Sequence, residues 1–342
     1  MKERLVSFLA CPDCNQDLSL VPASVERDGD EIITGTLACA GCHREYPILR
    51  GVPRLLPSGL ESLAADVAEG FGWQWNQFSE LRPEYAQQFL DWVHPLGPDD
   101  FRGKRVIEGG CGKGRHARIV AEFGAKDIFC VDLGSAVEAC FRNVGRRDAV
   151  HVIQGDISRL PLKRVADVAF SVGVVHHMPE PIEGVRGLAA KVVEGGRISV
   201  WVYGYEGNEW YVRIVNPVRE QITSRMPRRA LYELSKPLGW IVAAASKGLY
   251  APAQKLAPRL HDHLFYKDYL TYIARLPTRE IHTIVFDQLV TPVAYYLRHD
   301  EVEALFAPPA DGPGYRDLTI ERHNANSWRA NAYITDAPRA RV

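Results

Sequence analysis

Four of the seven cysteines fall in two tight pairs, Cys11-x-x-Cys14 and Cys39-x-x-Cys42. Each pair can bend into a knuckle that aims two thiolates at one ion, and two knuckles supply the four ligands of a tetrahedral zinc site. A complete protein ligand set leaves no position for a substrate, so the expected zinc is structural. Paired disulfides are the other use of such spacing, and they conflict with a reducing cytosolic setting. A second constellation stands at 106–115, V-I-E-G-G-C-G-K-G-R. Two β-branched residues, an acid and a run of glycines read as a buried strand ending in a loop whose backbone must approach a ligand closely. A dinucleotide fingerprint needs a third glycine where Arg115 stands, so the pattern is Glu108-x-Gly110-x-Gly112-x-Gly114.

The residues that follow supply polar groups at strand ends. Residues 128–132 read as a strand ending in Asp132, about twenty residues beyond the loop, where a carboxylate can accept hydrogen bonds from both hydroxyls of a ribose. Ser135 and Glu138 have the S-x-x-E spacing of a capping box for the next helix. A third strand over 150–153 leads into Gly155-Asp156-Ile157, and a fourth over 167–172 opens at Gly173 into Val174-Val-His-His-Met-Pro. His176 and His177 therefore stand at a strand tip, where ligands of doubly wound sheets bind. An imidazole there can take a proton from an attacking nucleophile or simply hydrogen-bond its own loop. Residues 188–193 read as the next helix, 194–196 as a turn and 197–203 as the fifth strand.

From Glu108 to Tyr203 this order of motifs resembles the class I S-adenosylmethionine (SAM) dependent methyltransferases, especially the methyltransferase type 11 group. The expected fold class is α/β, a Rossmann-like sheet with helices on both faces. The resemblance implies a SAM cleft formed by Glu108, Gly110, Cys111, Gly112, Asp132, Leu133, Asp156, Ile157 and Val172. In it Asp132 holds the ribose and Asp156 the adenine amino group, although an aspartate after glycine is also a common turn cap. The cysteine pairs, with the segment Tyr46-Pro-Ile-Leu-Arg-Gly-Val-Pro-Arg-Leu-Leu, look like the small zinc-ribbon proteins that activate tRNA, rRNA and release-factor methyltransferases.

The elements that must position these groups divide the chain. A zinc ribbon, expected to fold separately, covers 1–57, and a helical linker covers 58–103. The SAM-binding core covers 104–203, a helical insertion 204–290, and a C-terminal completion of the core sheet 291–342. The linker carries Phe71-Gly-Trp-Gln-Trp-Asn-Gln-Phe, in which Trp73, Gln74 and Trp75 form either a lid on the cofactor or a plain packing surface. The insertion is rich in Tyr, Trp and Arg, and Tyr203, Tyr205 and Trp210 are its candidate substrate contacts. Its excess of basic residues suits an anionic substrate or a solvated helix face. In the tail, 302–306 reads as a helix, and 318–322 and 329–334 as the last two strands, with polar residues 323–328 between them reaching the pocket or shaping the turn.

With 342 residues, 46% of them hydrophobic, the chain has material for two domains, and its formal charge of -1 excludes a strongly basic nucleic-acid binder. The apolar run 5–10 is short for a signal peptide, and the stretch 238–245 is too short to span a bilayer. A cytoplasmic protein with no membrane partner is expected; the oligomeric state is not legible. The strand tip lacks the N-P-P-Y signature of enzymes that methylate planar amides or exocyclic base amines. The leading expectation is therefore a small-molecule acceptor methylated on oxygen or nitrogen, with RNA or protein second and a non-catalytic SAM-binding protein third. His177, with His176 as its rival, is the candidate general base.

Overall fold

The computed structural model describes residues 1–82 and 85–336. The chain begins with five short strands, β1 (Leu18–Leu20), β2 (Glu26–Asp28), β3 (Glu31–Cys39), β4 (Glu45–Leu49) and β5 (Val52–Leu55). Three helices follow, α1 (Ser62–Gln77), α2 (Tyr85–Val93) and α3 (Pro98–Phe101). Strands and helices then alternate through β6 (Arg105–Gly109), α4 (Arg115–Glu122), β7 (Asp127–Asp132), α5 (Ala136–Cys140), β8 (Val150–Gly155), β9 (Ala166–Val172), α6 (Pro181–Ala189) and β10 (Val192–Tyr203). A helical stretch comprises α7 (Glu209–Gln221), α8 (Arg228–Ala245), α9 (Ala251–Leu256), α10 (Pro258–Asp262), α11 (Lys267–Ile273) and α12 (Thr278–Val290). The chain closes with α13 (His299–Ala304), β11 (Gly314–His323) and β12 (Ser327–Thr335).

The strands run in the order β1-β3-β4-β5-β8-β7-β6-β9-β10-β12-β11, with β2 beside β3. Within it β8, β7, β6, β9 and β10 pair in parallel, which requires the intervening helices to cross over the sheet faces. Strands β6 and β7 are almost continuously buried, as parallel strands covered on both faces must be. The class is α/β, with a sheet and helices of the kind the motifs imply.

The ribbon is not a separate body. β5 pairs in parallel with β8, matching Arg54 with Gln154 and Leu55 with Gly155, so the ribbon strands continue the core sheet. Leu9 bridges Leu162, and the Lys2 ammonium donates to the carbonyls of Gly145 and Val150. The capping box expected at α5 does not form. Glu138 instead accepts two hydrogen bonds from Arg50, at 2.9 and 2.7 Å, and pairs with Arg54, because the ribbon offers it two guanidinium groups at its only partly covered carboxylate. Two other expectations shift. The helix expected over 188–193 lies earlier, at Pro181–Ala189, since proline is favoured at the first helical position, and β10 begins already at Val192 with a bulge before Arg197. The tail helix is at His299–Ala304, and both tail strands are longer than expected.

Two compact units result. One comprises Met1–Val202, His299–Glu321 and the chain from Trp328; the other comprises Tyr203–Arg298 with Arg322–Ser327. The helical unit thus takes the β11–β12 turn, whose Asn326 carbonyl accepts from the Asn208 amide and whose Asn326 amide donates to Tyr266.

Candidate functional site

The four paired cysteines converge. Their sulfur atoms lie within 4.8 Å of one another, with Cys14 and Cys39 at 3.3 Å and Cys11 and Cys42 at 3.7 Å. A tetrahedral zinc with bonds of about 2.3 Å would hold its sulfurs about 3.8 Å apart, so the cluster is able to take zinc with small adjustments. Burial opposes ionisation of Cys39, yet backbone N–H groups of Cys42 and Gly41 aimed at its sulfur bring the thiol down to about 6. Tyr46, buried beneath the knuckles, links the Cys11 sulfur (3.1 Å) to the Asp13 carboxylate (3.1 Å).

At the tip of β6 the chain turns through three left-handed glycines, Gly110 (φ 79°), Gly112 (φ 51°) and Gly114 (φ 82°). A side chain at Gly110 would fall 2.2 Å from Val174, and one at Gly112 would fall 3.1 Å from the Trp75 ring nitrogen, so both the conformation and the space demand glycine. Asp132, at the tip of β7, accepts the Gly112 N–H on one carboxylate oxygen and the Gly134 N–H on the other, each at 2.9 Å. The arrangement fixes the carboxylate in place while leaving each oxygen a further lone pair for a ribose hydroxyl.

Glu108 has a different place from the one expected. Its carboxyl is buried beneath the loop and hydrogen-bonds the His116 ring at 3.0 Å. Burial keeps this carboxyl well above the usual range, and burial followed by the Arg115 charge keeps His116 well below, so the two meet as neutral partners. Glu108 therefore braces the loop against α4 from below. Cys111 is buried in the same core, and Ile157 packs under Gly109. Asp156 caps the following turn through the Ser158 N–H at 2.8 Å, which holds its carboxylate at the β8 tip.

Helix α1 lies across these loops. The i, i+4 pair Phe71 and Trp75 covers His177 (ring centroids 4.8 Å apart) and Gly112, while Gly72 and Asn76 lie against Ser135. A side chain on Gly72 would fall 2.5 Å from the Ser135 hydroxyl. Gln74 is wholly buried, and Trp73 projects from a different side of the helix than Phe71 and Trp75. Lys113 and Arg115 were not among the expected site residues. The buried Lys113 ammonium donates to the Phe78 carbonyl at 2.9 Å and to the Tyr85 hydroxyl at 3.1 Å, tying the glycine loop to the end of α1. Its ammonium and the Arg115 guanidinium also lie 5.4 and 5.6 Å from the Trp75 ring centre. The signal available in the sequence was the pair Gly70 and Gly72 inside a helix, a costly choice unless another backbone comes close.

At the β9 tip, His176 is fully buried and its ring lies 4.2 Å from that of His177 at a tilt of 45°, and His177 reaches Phe71 of α1. Val172 precedes the left-handed Gly173 (φ 74°) that turns the chain into this loop. In the helical unit, Tyr203 stacks on Tyr296 and is bonded to Asp287 and Gln288, and it joins Trp210 through Tyr211 in one aromatic cluster. Tyr205 lies outside that cluster, under the Arg298 guanidinium at 3.9 Å.

Replacing Asp132 with alanine is expected to weaken SAM binding by at least ~1.5 kcal/mol, the lower range for a charge-assisted hydrogen bond. Burial raises this carboxyl to about 6 despite the N–H groups of Gly134 and Gly112. Affinity measured by calorimetry should consequently fall as pH drops through about 6, by roughly tenfold per unit where only the ionised form binds. The ligand-free fold has the opposite dependence: a raised carboxyl adds stability near its unfolded value and loses it as pH rises through about 6. Affinity unchanged in a folded Asp132→Ala variant would place the ribose elsewhere.

Comparison with known proteins agrees with this geometry. Residues 107–200 match the family described as methyltransferase domain, and residues 2–51 match the family described as Trm112p-like protein. The tRNA U34 carboxymethyltransferase of Idiomarina loihiensis is 28% identical over 117 residues, 32% of this chain and 36% of that protein. The enzyme of the same name from Vibrio cholerae is 25% identical over 162 residues, 46% of this chain and 45% of that protein. The ubiquinone biosynthesis O-methyltransferase of Acinetobacter baumannii is 28% identical over 148 residues, 41% of this chain and 60% of that protein. The chain thus spans less than two thirds of the length of these relatives. Among solved structures, a complex between the Haloferax volcanii Trm112 methyltransferase activator and a methyltransferase aligns at a TM-score of 0.35 and 20% identity, over 46% of this chain and 69% of that one. The chain joins in one polypeptide a Trm112p-like domain and a class I SAM-dependent methyltransferase domain.

Proposed function

We propose that the chain transfers a methyl group from SAM and that its acceptor is an RNA. The observation that carries the transfer is the left-handed glycine loop whose Gly112 N–H positions Asp132. Bound SAM supplies a methyl group on a positively charged sulfur. The chain's part is to hold the ribose on Asp132, to direct adenine toward Asp156 and Ile157, and to bring the acceptor to the β9 tip beside His177. Orientation of this kind can lower a barrier by several kcal/mol without any covalent role for the protein.

Two lines support RNA over the small metabolite expected from the motifs. The front domain belongs with Trm112p-like proteins, and relatives of the core carry the name tRNA U34 carboxymethyltransferase. A small acceptor is the second reading, supported by the formal charge of -1 and by the ubiquinone biosynthesis O-methyltransferase relative. Incubation with SAM labelled in its methyl group, together with bulk tRNA and rRNA or with a low-molecular-weight cell extract, distinguishes them. The RNA reading expects label in RNA, falling steeply between 50 and 200 mM salt as phosphate contacts are screened (roughly 10³-fold or more for six contacts). Label confined to the small-molecule fraction would sink it in favour of the second reading.

A further inference from the structure

Beyond its first turn, helix α8 is built the wrong way round for water. Its first turn packs in the ordinary way, with Leu231 fully buried and the Tyr232 ring against His282 and Phe286 of α12, but from there on the buried row is small: Ser235, Gly239 and Ala243 follow Leu231 at spacings of four. There the Ser235 hydroxyl meets the His282 ring at 2.8 Å, and a side chain on Gly239 would fall 3.0 Å from the His282 Cα. The exposed row is large and apolar: Leu234, Leu238 and Ile241 at i, i+4 and i+7, with Ile241 65% exposed. A soluble helix ordinarily buries the large residues and leaves the small or charged ones outside. Small residues at a helix contact with large apolar ones turned outward is the arrangement adopted where the surroundings are lipid.

The neighbouring row fits the edge of such a surface. At the same spacing it reads Arg229, Glu233, Lys236 and Trp240, and Trp240 is 69% exposed, an amphipathic ring at the border between apolar and charged positions. The exposed apolar residues continue through Leu249, Leu256 and Leu260. Over 228–262 the chain carries six basic residues (Arg228, Arg229, Lys236, Lys247, Lys255, Arg259) against two acidic ones (Glu233, Asp262). The excess opposes a second copy of the same positive face and complements an anionic one. Among the described residues no helix is long and apolar enough to cross a membrane, so the fit is to a surface.

We infer that the α8–α10 face of the helical unit docks on an anionic lipid bilayer. The apolar row enters the headgroup boundary, Trp240 lies at that level, and Lys247, Lys255 and Arg259 meet the lipid phosphates. The stretch 238–245, too short to span, is long enough to lie along the surface. This inference goes beyond methyl transfer and is independent of the acceptor.

The test is co-sedimentation of the full chain with vesicles of phosphatidylcholine containing about 30% phosphatidylglycerol, and with vesicles of phosphatidylcholine alone. Binding to the anionic vesicles is expected, weakened at least tenfold by Leu238→Glu or Ile241→Glu and by high salt. Both positions are exposed, and circular dichroism with an unchanged SAM affinity would verify that the variants fold. Several results would overturn the inference, among them no binding to anionic vesicles, equal binding to neutral ones, equal binding by the variants, or a concentration-dependent dimer of the free chain that Ile241→Glu abolishes. Bulk tRNA that binds the face and loses affinity in Ile241→Glu, with no vesicle binding, would assign it to RNA and overturn the inference as well.

Discussion

Replacing Cys39 with serine is expected to release zinc and also to lower the melting temperature of the cofactor-binding unit by more than about 10 °C. The physical reason is the shared sheet. Structural zinc sites supply on the order of 10 kcal/mol in small isolated domains, and the binding energy is folding energy. Here β3 holds Cys39 and pairs with β4, which pairs with β5, which is hydrogen-bonded to β8 of the core. Arg50 and Arg54 of the same ribbon grip Glu138 of α5, the helix that follows the Asp132 turn. Loss of even ~4 kcal/mol in a unit of this size shifts the midpoint by roughly 8–16 °C. Metal analysis should find one zinc per chain in the parent and almost none in the variant. Scanning calorimetry with SAM present then reads the core. A variant without zinc whose SAM-stabilised transition is unmoved would show that ribbon and core fold independently despite the shared strands.

This coupling is the part of the fold that the sequence hid, and the reason is non-locality. The spacing of Cys11, Cys14, Cys39 and Cys42 is local chemistry, and the sulfurs do converge. The glycine loop is legible for the same reason, because each glycine answers a steric demand within a few residues. Val52–Leu55 read as the end of a ribbon; nothing nearby announces that it will pair with Val150–Gly155, about a hundred residues on. Ser135 and Glu138 had the letters of a capping box, yet Arg50 and Arg54, unseen by any local rule, compete for the carboxylate and win with charge. Glu108 illustrates a related failure. Its position identified the loop, but whether a carboxyl faces a ligand or the core depends on His116 arriving from the next helix turn. Helix α8 defeats periodicity beyond its first turn, since there small residues (Ser235, Gly239, Ala243) are buried while large apolar ones (Leu234, Leu238, Ile241) are exposed.

Replacing His177 with alanine or glutamine is expected to reduce turnover by roughly a hundredfold or more, if, as we propose, this imidazole takes the acceptor's proton. The side chain stands at the β9 tip, packed on one side by His176 and on the other by Phe71 of α1. A nucleophile attacking the methyl of SAM in line becomes positively charged as its bond to carbon forms, and removal of its proton by a neutral imidazole relieves that charge. Such a base must be unprotonated, so the wild-type rate should rise with pH and then level off. The contact with Phe71 offers a competing role, in which His177 merely supports α1 over the cofactor cleft. The two separate in which parameter moves. A base lost in both variants lowers kcat, removes the rise with pH and leaves SAM affinity close to the parent value. A support lost in alanine weakens SAM binding, and glutamine, which restores bulk and a hydrogen-bonding end, recovers it with kcat and the pH profile intact. Turnover and pH dependence preserved in both variants would remove His177 from proton transfer, and an acceptor already ionised in solution would then react through orientation alone.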